Sequence, residues 1–279
     1  MFYFSPRPFY TASVTNTPTM KGDAPPRRRS VRALCERCNW HATHSQQVAA
    51  LALSIFDQTQ PLHRLDAHAR ELLEYACWLH DIGYAISAKR HHKHGRDLVL
   101  SAGLSSFAQV EVQMLAAMVR YHRKRQPQPD DAELQGLNVA QRGRIAILAG
   151  ILRVADGLDR TQSSIVQCVV ISIGQQTIDL RLHTQGPAAA EIHFALEKSD
   201  LLADTLNRGL HIEKAEGRMQ NTEGRTQKAE RSLTLNYNSN SQLGTGTGTP
   251  TPNSQLQLQL GTGTGTLCPN SKNIPIPAS

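Results

Sequence analysis

The segment "LLEYACWLHDIGYAIS", residues 72–87, decides how this chain folds. Leu72, Leu73, Ala76 and Leu79 recur at the three- and four-residue spacing of one helix face. Asp66 stands where an N-cap belongs, and Gly83 where the helix stops. His80 follows Leu73 and Ala76 by seven and four residues, so an imidazole falls on the buried stripe. Asp81 is its neighbour. Successive residues on a helix point about 100° apart, so both side chains reach one ion only where the helix is ending. The stretch therefore presents a His–Asp pair at a helix terminus, facing a core.

The flanking sequence repeats this pattern. Val48, Leu51, Ala52 and Ile55 mark a helical stretch over 31–56, broken by Pro61, with His44 on its apolar face. A shorter helix is expected over 91–102, with Gly103 as its stop. A helix from Phe107 to Tyr121 carries Val110, Met114, Ala117 and Met118 and puts His122 in line with the core stripe. A long helix over 138–158, with Ile145, Leu148, Leu152 and Ala155, does the same for Asp156. The period then changes. "IVQCVVISI" (165–173) and the alternating "TIDLRLH" (177–183) read as strands, "AEIHFAL" (190–196) as a third, and "KSDLLADTLNRGL" (198–210) as a closing helix. The expected fold is mainly α, a helical bundle over 31–212 with a small C-terminal antiparallel sheet. Residues 1–30, ending in "PPRRRS", read as a disordered leader. Residues 213–279, with GTGTGT and NSQL each occurring twice, read as a disordered low-complexity tail.

Composition narrows the function classes. The formal charge of +7 favours anionic partners. No apolar run reaches the roughly 20 residues of a membrane span, and the N-terminal stretch lacks the apolar core of a secretory signal. Five cysteines, at 35, 38, 77, 168 and 268, are odd in number and unevenly spaced. They argue against a disulfide framework and for a reducing, cytoplasmic setting.

The chemistry lies in the polar residues on core faces. Burying His44, His80, His122 or Asp156 unpaired costs roughly 1–3 kcal/mol each, and far more for a charged carboxylate. One such residue is ordinarily a satisfied core histidine. Four on converging helices need a shared solution, and a divalent cation supplies it; imidazole and carboxylate donors suit Mn, Fe, Zn, Co or Mg.

The ordered set His44, His80–Asp81, His94, His122 and Asp156 resembles the HD-domain metal-dependent phosphohydrolase superfamily. The words "LLEYACWLHDIGYAIS", "HHKHGRDLVLSA", "VRYHRKRQP" and "ILRVADGLDRT" resemble the C-terminal domain of the exopolyphosphatase / guanosine pentaphosphate phosphohydrolase family over about residues 30–205. The resemblance implies metal ligation by His44, His80, Asp81 and Asp156, with His80 and Asp81 at the catalytic centre. It implies a second metal or substrate phosphate at His94 and His122, with Asp81 bridging where two ions bind. The implied activity is hydrolysis of a phosphomonoester or phosphoanhydride, on a nucleotide or polyphosphate-like substrate. The family's actin-like half, which cleaves polyphosphate, has no counterpart expected before residue 30. A non-catalytic domain that binds polyphosphate or guanosine tetraphosphate is therefore the competing reading, and a homodimer is compatible with either.

Three weaker signals complete the reading. Lys93, Arg96, Arg120, Arg123 and Lys124 flank the site histidines and are expected to attract substrate phosphate. Nucleic acid is disfavoured, because no aromatic residues interleave the basic runs. The C-x2-C-x2-H-x2-H spacing of Cys35, Cys38, His41 and His44 invites zinc, but on one helix these residues wrap half-way round and cannot meet one ion. Arg153, Asp159 and Arg160 flank Asp156 and read either as a helix ion-pair ladder or as residues that orient it.

Overall fold

The structure is a computed structural model that describes residues 25–123 and 125–215. Helices α1 (Pro26–Arg37), α2 (Ala42–His63), α3 (Ala67–Leu79), α4 (His91–Ser101), α5 (Gln109–Tyr121) and α6 (Val139–Gly157) come first. Strands β1 (Val166–Ile173) and β2 (Thr177–Thr184), helices α7 (Ala189–Glu197) and α8 (Asp200–Leu206), and strand β3 (Gly209–Lys214) follow.

Helix α6 is the centre of the bundle. Ile145, Leu148, Ala149, Ile151, Leu152, Val154 and Ala155 are all fully buried, so it is apolar around most of its circumference. Such a helix must be surrounded, and α6 packs against α2, α3, α5, α7 and α8. Its start follows from sequence: Asn138 accepts from the Gln141 N–H at 2.9 Å, and Gln141 returns a bond to the Asn138 N–H. Asp66 caps α3 likewise, accepting from Ala69 at 2.9 Å.

The sheet order is β1-β2-β3. β1 and β2 pair antiparallel, with Ile171 opposite Leu180, whereas β3 joins β2 in parallel, with Ile212 opposite Leu180. The free edge of β1 meets α2 through side-chain amides. Gln58 donates to the Val169 carbonyl at 2.9 Å and accepts from the Ile171 N–H at 2.8 Å, occupying an edge that would otherwise seek another strand.

Several expectations need correction. "AEIHFAL" is helix α7; its alternation is too short to exclude a helix, and α6 offers it a surface to pack on. The third strand is β3, which starts in the last two residues of the segment read as a closing helix and runs into the first two of the expected disordered tail, and its parallel pairing makes the sheet mixed instead of purely antiparallel. Pro61 lies inside α2, which runs on to His63, and the helical stretch from residue 31 is split between α1 and α2 at Asn39, which has φ 50°. Helix α1 starts at Pro26, inside the expected leader. Pro at the first position fits a helix start, and the bundle holds the basic turn: Arg27 pairs with Glu111 and lies over Phe107, while Arg28 pairs with Glu74 and lies over Trp78. The rest of the leader, and the tail beyond residue 215, lie outside the described residues. Cys35, Cys38 and Cys77 are free thiols. No helix among the described residues is long and apolar enough to cross a membrane.

Candidate metal centre

Helix α3 ends at Leu79, and the chain turns at His80 and Asp81 into a short 3-10 segment, Ile82–Ala85. The two side chains therefore leave a terminating helix and converge: His80 Nε2 stands 3.4 Å from Asp81 Oδ2. Gly83 serves a purpose beyond ending the helix. A Cβ there would sit 1.9 Å from the His91 carbonyl oxygen and 2.6 Å from the Gly95 nitrogen. Only glycine lets the first turn of α4 lie directly on this segment, which carries His91 to Asp81.

Two clusters result, sharing Asp81. In the first, His44 Nε2 lies 3.8 Å from Asp81 Oδ2 and 3.5 Å from Asp156 Oδ1, and His80 Nε2 lies 3.8 Å from Asp156 Oδ1. In the second, Asp81 Oδ1 lies 3.4 Å from His91 Nε2 and 3.7 Å from His122 Nε2, and those two nitrogens are 3.2 Å apart. Asp81 turns one oxygen to each cluster.

The outer nitrogens fix the tautomers. His80 Nδ1 is 2.7 Å from the Cys77 carbonyl, His122 Nδ1 2.7 Å from that of Val119, and His91 Nδ1 3.2 Å from that of Ala88. A carbonyl only accepts, so each Nδ1 carries the proton and each Nε2 presents a lone pair inward. His44 Nδ1 donates to the buried Asp159 carboxylate at 2.8 Å. Four imidazole Nε2 atoms and two carboxylates thus face one another, with His80 Nε2 fully buried and without a hydrogen-bond partner. Imidazoles whose outer N–H is held by a carbonyl or carboxylate, and whose inner nitrogen faces carboxylates, form the ordinary donor set for a divalent cation.

Electrostatics separates the clusters. Burial lowers the affinity of His44 for a proton, but bonds to Asp156 and Asp159 outweigh it and push the pKa up to about 9. Burial also opposes protonation of His80, and Asp81 overcomes it. His122 goes the other way: burial, then the neighbouring His80, brings it down to about 3. His91 is lowered as well, chiefly by burial. Asp81 and Asp156 are held well below the usual carboxylate range; burial would raise both, but His80 dominates at Asp81 and Lys198 at Asp156.

The residues expected at the site divide. His44, His80, Asp81, His122 and Asp156 are brought together. His94 is not in either cluster; His91, three residues earlier, holds that place because α4 begins there, against Gly83. Of the expected basic residues, Arg123 lines the cavity over the clusters. Arg96 and Arg120 bond to Glu133 and, like Lys93, do not line the cavity, and Lys124 lies outside the described residues. Asp159 orients His44, not Asp156. Arg153 is fully buried and donates to the carbonyls of Tyr121 and Arg125 and to Asp200, tying α6 to the end of α5 and to α8. The cysteines of the zinc-like spacing are core residues: Cys35 Sγ lies 3.6 Å from the Trp78 carbonyl, and burial pushes its thiol up to about 12.

The cavity over the clusters has a volume of about 330 Å³, at the small end of ligand pockets. Tyr84, Arg160 and Lys198 line it; Tyr84 and Lys198 had no place in the sequence reading, and Arg160 entered it only as a neighbour of Asp156. Tyr84 stacks on His91 with ring centroids 4.3 Å apart.

A family model described as Ppx/GppA phosphatase, domain III, matches residues 27–207. The chain belongs to that family. Among its relatives is a guanosine-5'-triphosphate,3'-diphosphate pyrophosphatase of Aeromonas hydrophila subsp. hydrophila, 31% identical over 135 residues. The match covers 48% of this chain and 26% of the relative. This domain III chain thus spans about a quarter of that protein's length. The matched region runs from α1 to the end of α8 and includes every residue of both clusters.

Proposed function

We propose that this domain is an HD-type, metal-dependent phosphohydrolase acting on a phosphomonoester or phosphoanhydride. The observation that carries the reading is the fully buried His80 Nε2, its tautomer fixed by the Cys77 carbonyl and its lone pair turned to Asp81 and Asp156 without a hydrogen-bond partner. His44, His80, Asp81 and Asp156 would hold one divalent ion, and Asp81, His91 and His122 a second. With a divalent ion held by these residues, the site would supply a water of pKa lowered towards about 7 and a Lewis acid for a phosphoryl oxygen. The chain's own residues do the rest. Asp159 fixes the His44 ring, and three backbone carbonyls fix His80, His91 and His122. Nucleotides and polyphosphate are the substrate classes that the family membership supports.

The competing reading, a phosphate-ligand binding domain without turnover, is favoured by one fact: the chain matches only about a quarter of a longer pyrophosphatase. One experiment separates the two. The purified chain is supplied with Mn, Mg, Zn, Co or Fe(II) and tested on nucleotides, pyrophosphate and short-chain polyphosphate, with and without chelator. The phosphohydrolase reading expects turnover that chelator removes and that Asp81→Ala abolishes. Tight phosphate binding without turnover under every metal supports the other.

A further inference from the structure

We propose that Arg123, Arg160 and Lys198 form the phosphate-binding wall of the cavity, and that helix α7 builds it. The inference rests on the reading of the cavity as a phosphohydrolase site and names what receives the anion there.

Geometry gives α7 this task. Gly157 directly follows Asp156, and a Cβ on it would lie 2.5 Å from the Ala195 Cα and 2.6 Å from the Ala195 nitrogen. Helix α7 therefore rests on the backbone of α6 one residue from a ligand carboxylate. Three residues beyond Ala195, Lys198 Nζ reaches Asp156 Oδ2 at 2.5 Å, while Asp156 Oδ1 faces the imidazoles. One residue before Ala195, the Phe194 ring carries the Arg160 guanidinium 4.8 Å from its centroid. At the other end of α7, buried Glu191 accepts from the Thr161 hydroxyl at 2.7 Å, tying the helix to the turn that holds Arg160. Arg123 enters from the end of α5, next to His122.

Charge decides when the wall acts. Arg123, Arg160 and Lys198 stand against Asp81, Asp156 and Glu197, three cationic side chains against three carboxylates, beside the histidines. A divalent ion on the carboxylates leaves the cavity positive, and phosphate binding follows metal binding. Guanidinium forks and an ammonium suit the terminal group of a phosphomonoester or anhydride, with its several charged oxygens. Lys198 is a positioning residue for Asp156 as well as a phosphate contact.

The test is calorimetric binding of inorganic phosphate to the Mn-loaded full chain, with Mn stoichiometry measured separately. Lys198→Met and Arg160→Met are compared with Lys93→Met and Arg96→Met, each checked for a native circular dichroism spectrum. Arg160→Met touches neither cluster, so it isolates the phosphate role. The proposal expects phosphate affinity to fall at least tenfold in both wall variants and to stay within twofold in the other pair, with Mn stoichiometry kept in Arg160→Met. Wild-type affinity in Arg160→Met and Lys198→Met, or no phosphate binding by the wild type, overturns it. Retained, wall-dependent phosphate binding without substrate turnover leaves this inference standing and removes the phosphohydrolase reading.

Discussion

Helix α6 contains glycines whose replacement by alanine is expected to have opposite effects. At Gly157 the added Cβ would lie 2.5 Å from the Ala195 Cα and 2.9 Å from the Phe194 carbonyl carbon, all backbone atoms of α7. Ordinary contact needs about 3.4–4 Å, so α7 must retreat by roughly 1 Å. Overpacking of this kind costs about 1–3 kcal/mol. The gain in helix propensity, about 1 kcal/mol mid-helix, is smaller here because Gly157 is the last residue of α6. Gly157→Ala should therefore destabilise by about 1–2 kcal/mol, combining the two effects. Gly143, exposed on the same helix with nothing within 4 Å of a Cβ, has no such clash. Gly143→Ala should stabilise by up to about 1 kcal/mol. Urea unfolding followed by circular dichroism measures both from shifts in midpoint at constant m-value. Because α7 carries Lys198 and Phe194, Gly157→Ala should also weaken phosphate binding. Equal stabilisation by both alanines would refute the close α6–α7 packing and the delivery of Lys198 to Asp156.

Other consequences can be checked separately. Asp159→Asn keeps an acceptor for His44 but removes its charge; metal affinity should fall about 10–100-fold, read by competition with a chromogenic chelator, while the unfolding midpoint changes little. Arg153→Met leaves the buried carbonyl of Tyr121 and the part-buried carbonyl of Arg125 without their donor, and urea unfolding should show a loss of about 2–3 kcal/mol. Gly83→Ala drives a Cβ into the His91 carbonyl, so calorimetric titration should show loss of the metal site that depends on His91. Asp131 is held below its usual range: burial raises it, but the bond from the Tyr121 hydroxyl at 2.6 Å and that from the Gln128 N–H outweigh it. A carboxylate depressed in the folded state stabilises above its unfolded pKa, near 3.9, and loses that contribution as pH falls through the lower folded value. Asp131→Asn should accordingly flatten the acid limb of the stability–pH curve below about pH 4.

Much of this architecture is readable in the sequence, and the failures have physical causes. The helices around the site are marked by long apolar stripes and by caps at Asp66 and Asn138, which act locally. His44, His80, His122 and Asp156 are visible because a polar residue interrupts each stripe. His91 is not visible in that way. It projects from the first turn of α4, and only the contact of that turn with Gly83 selects it over His94. Helix α7 is nine residues long, and its alternation is as good for a strand; its packing on Gly157 decides. Lys198 therefore escapes a reading based on runs of charge, and Arg160 is visible only as a neighbour of Asp156, since Arg96 and Arg120 pair with Glu133 and only tertiary packing gathers the cavity's cations.

The central claim is that His44, His80, Asp81 and Asp156 bind a divalent ion. Its most direct test is isothermal titration of the metal-stripped full chain with Mn, repeated for His80→Ala and Asp81→Ala variants that retain native circular dichroism. Saturable binding of at least one ion per chain is expected, lost in both variants. No saturable binding by the wild type, or unchanged binding in His80→Ala, would contradict it.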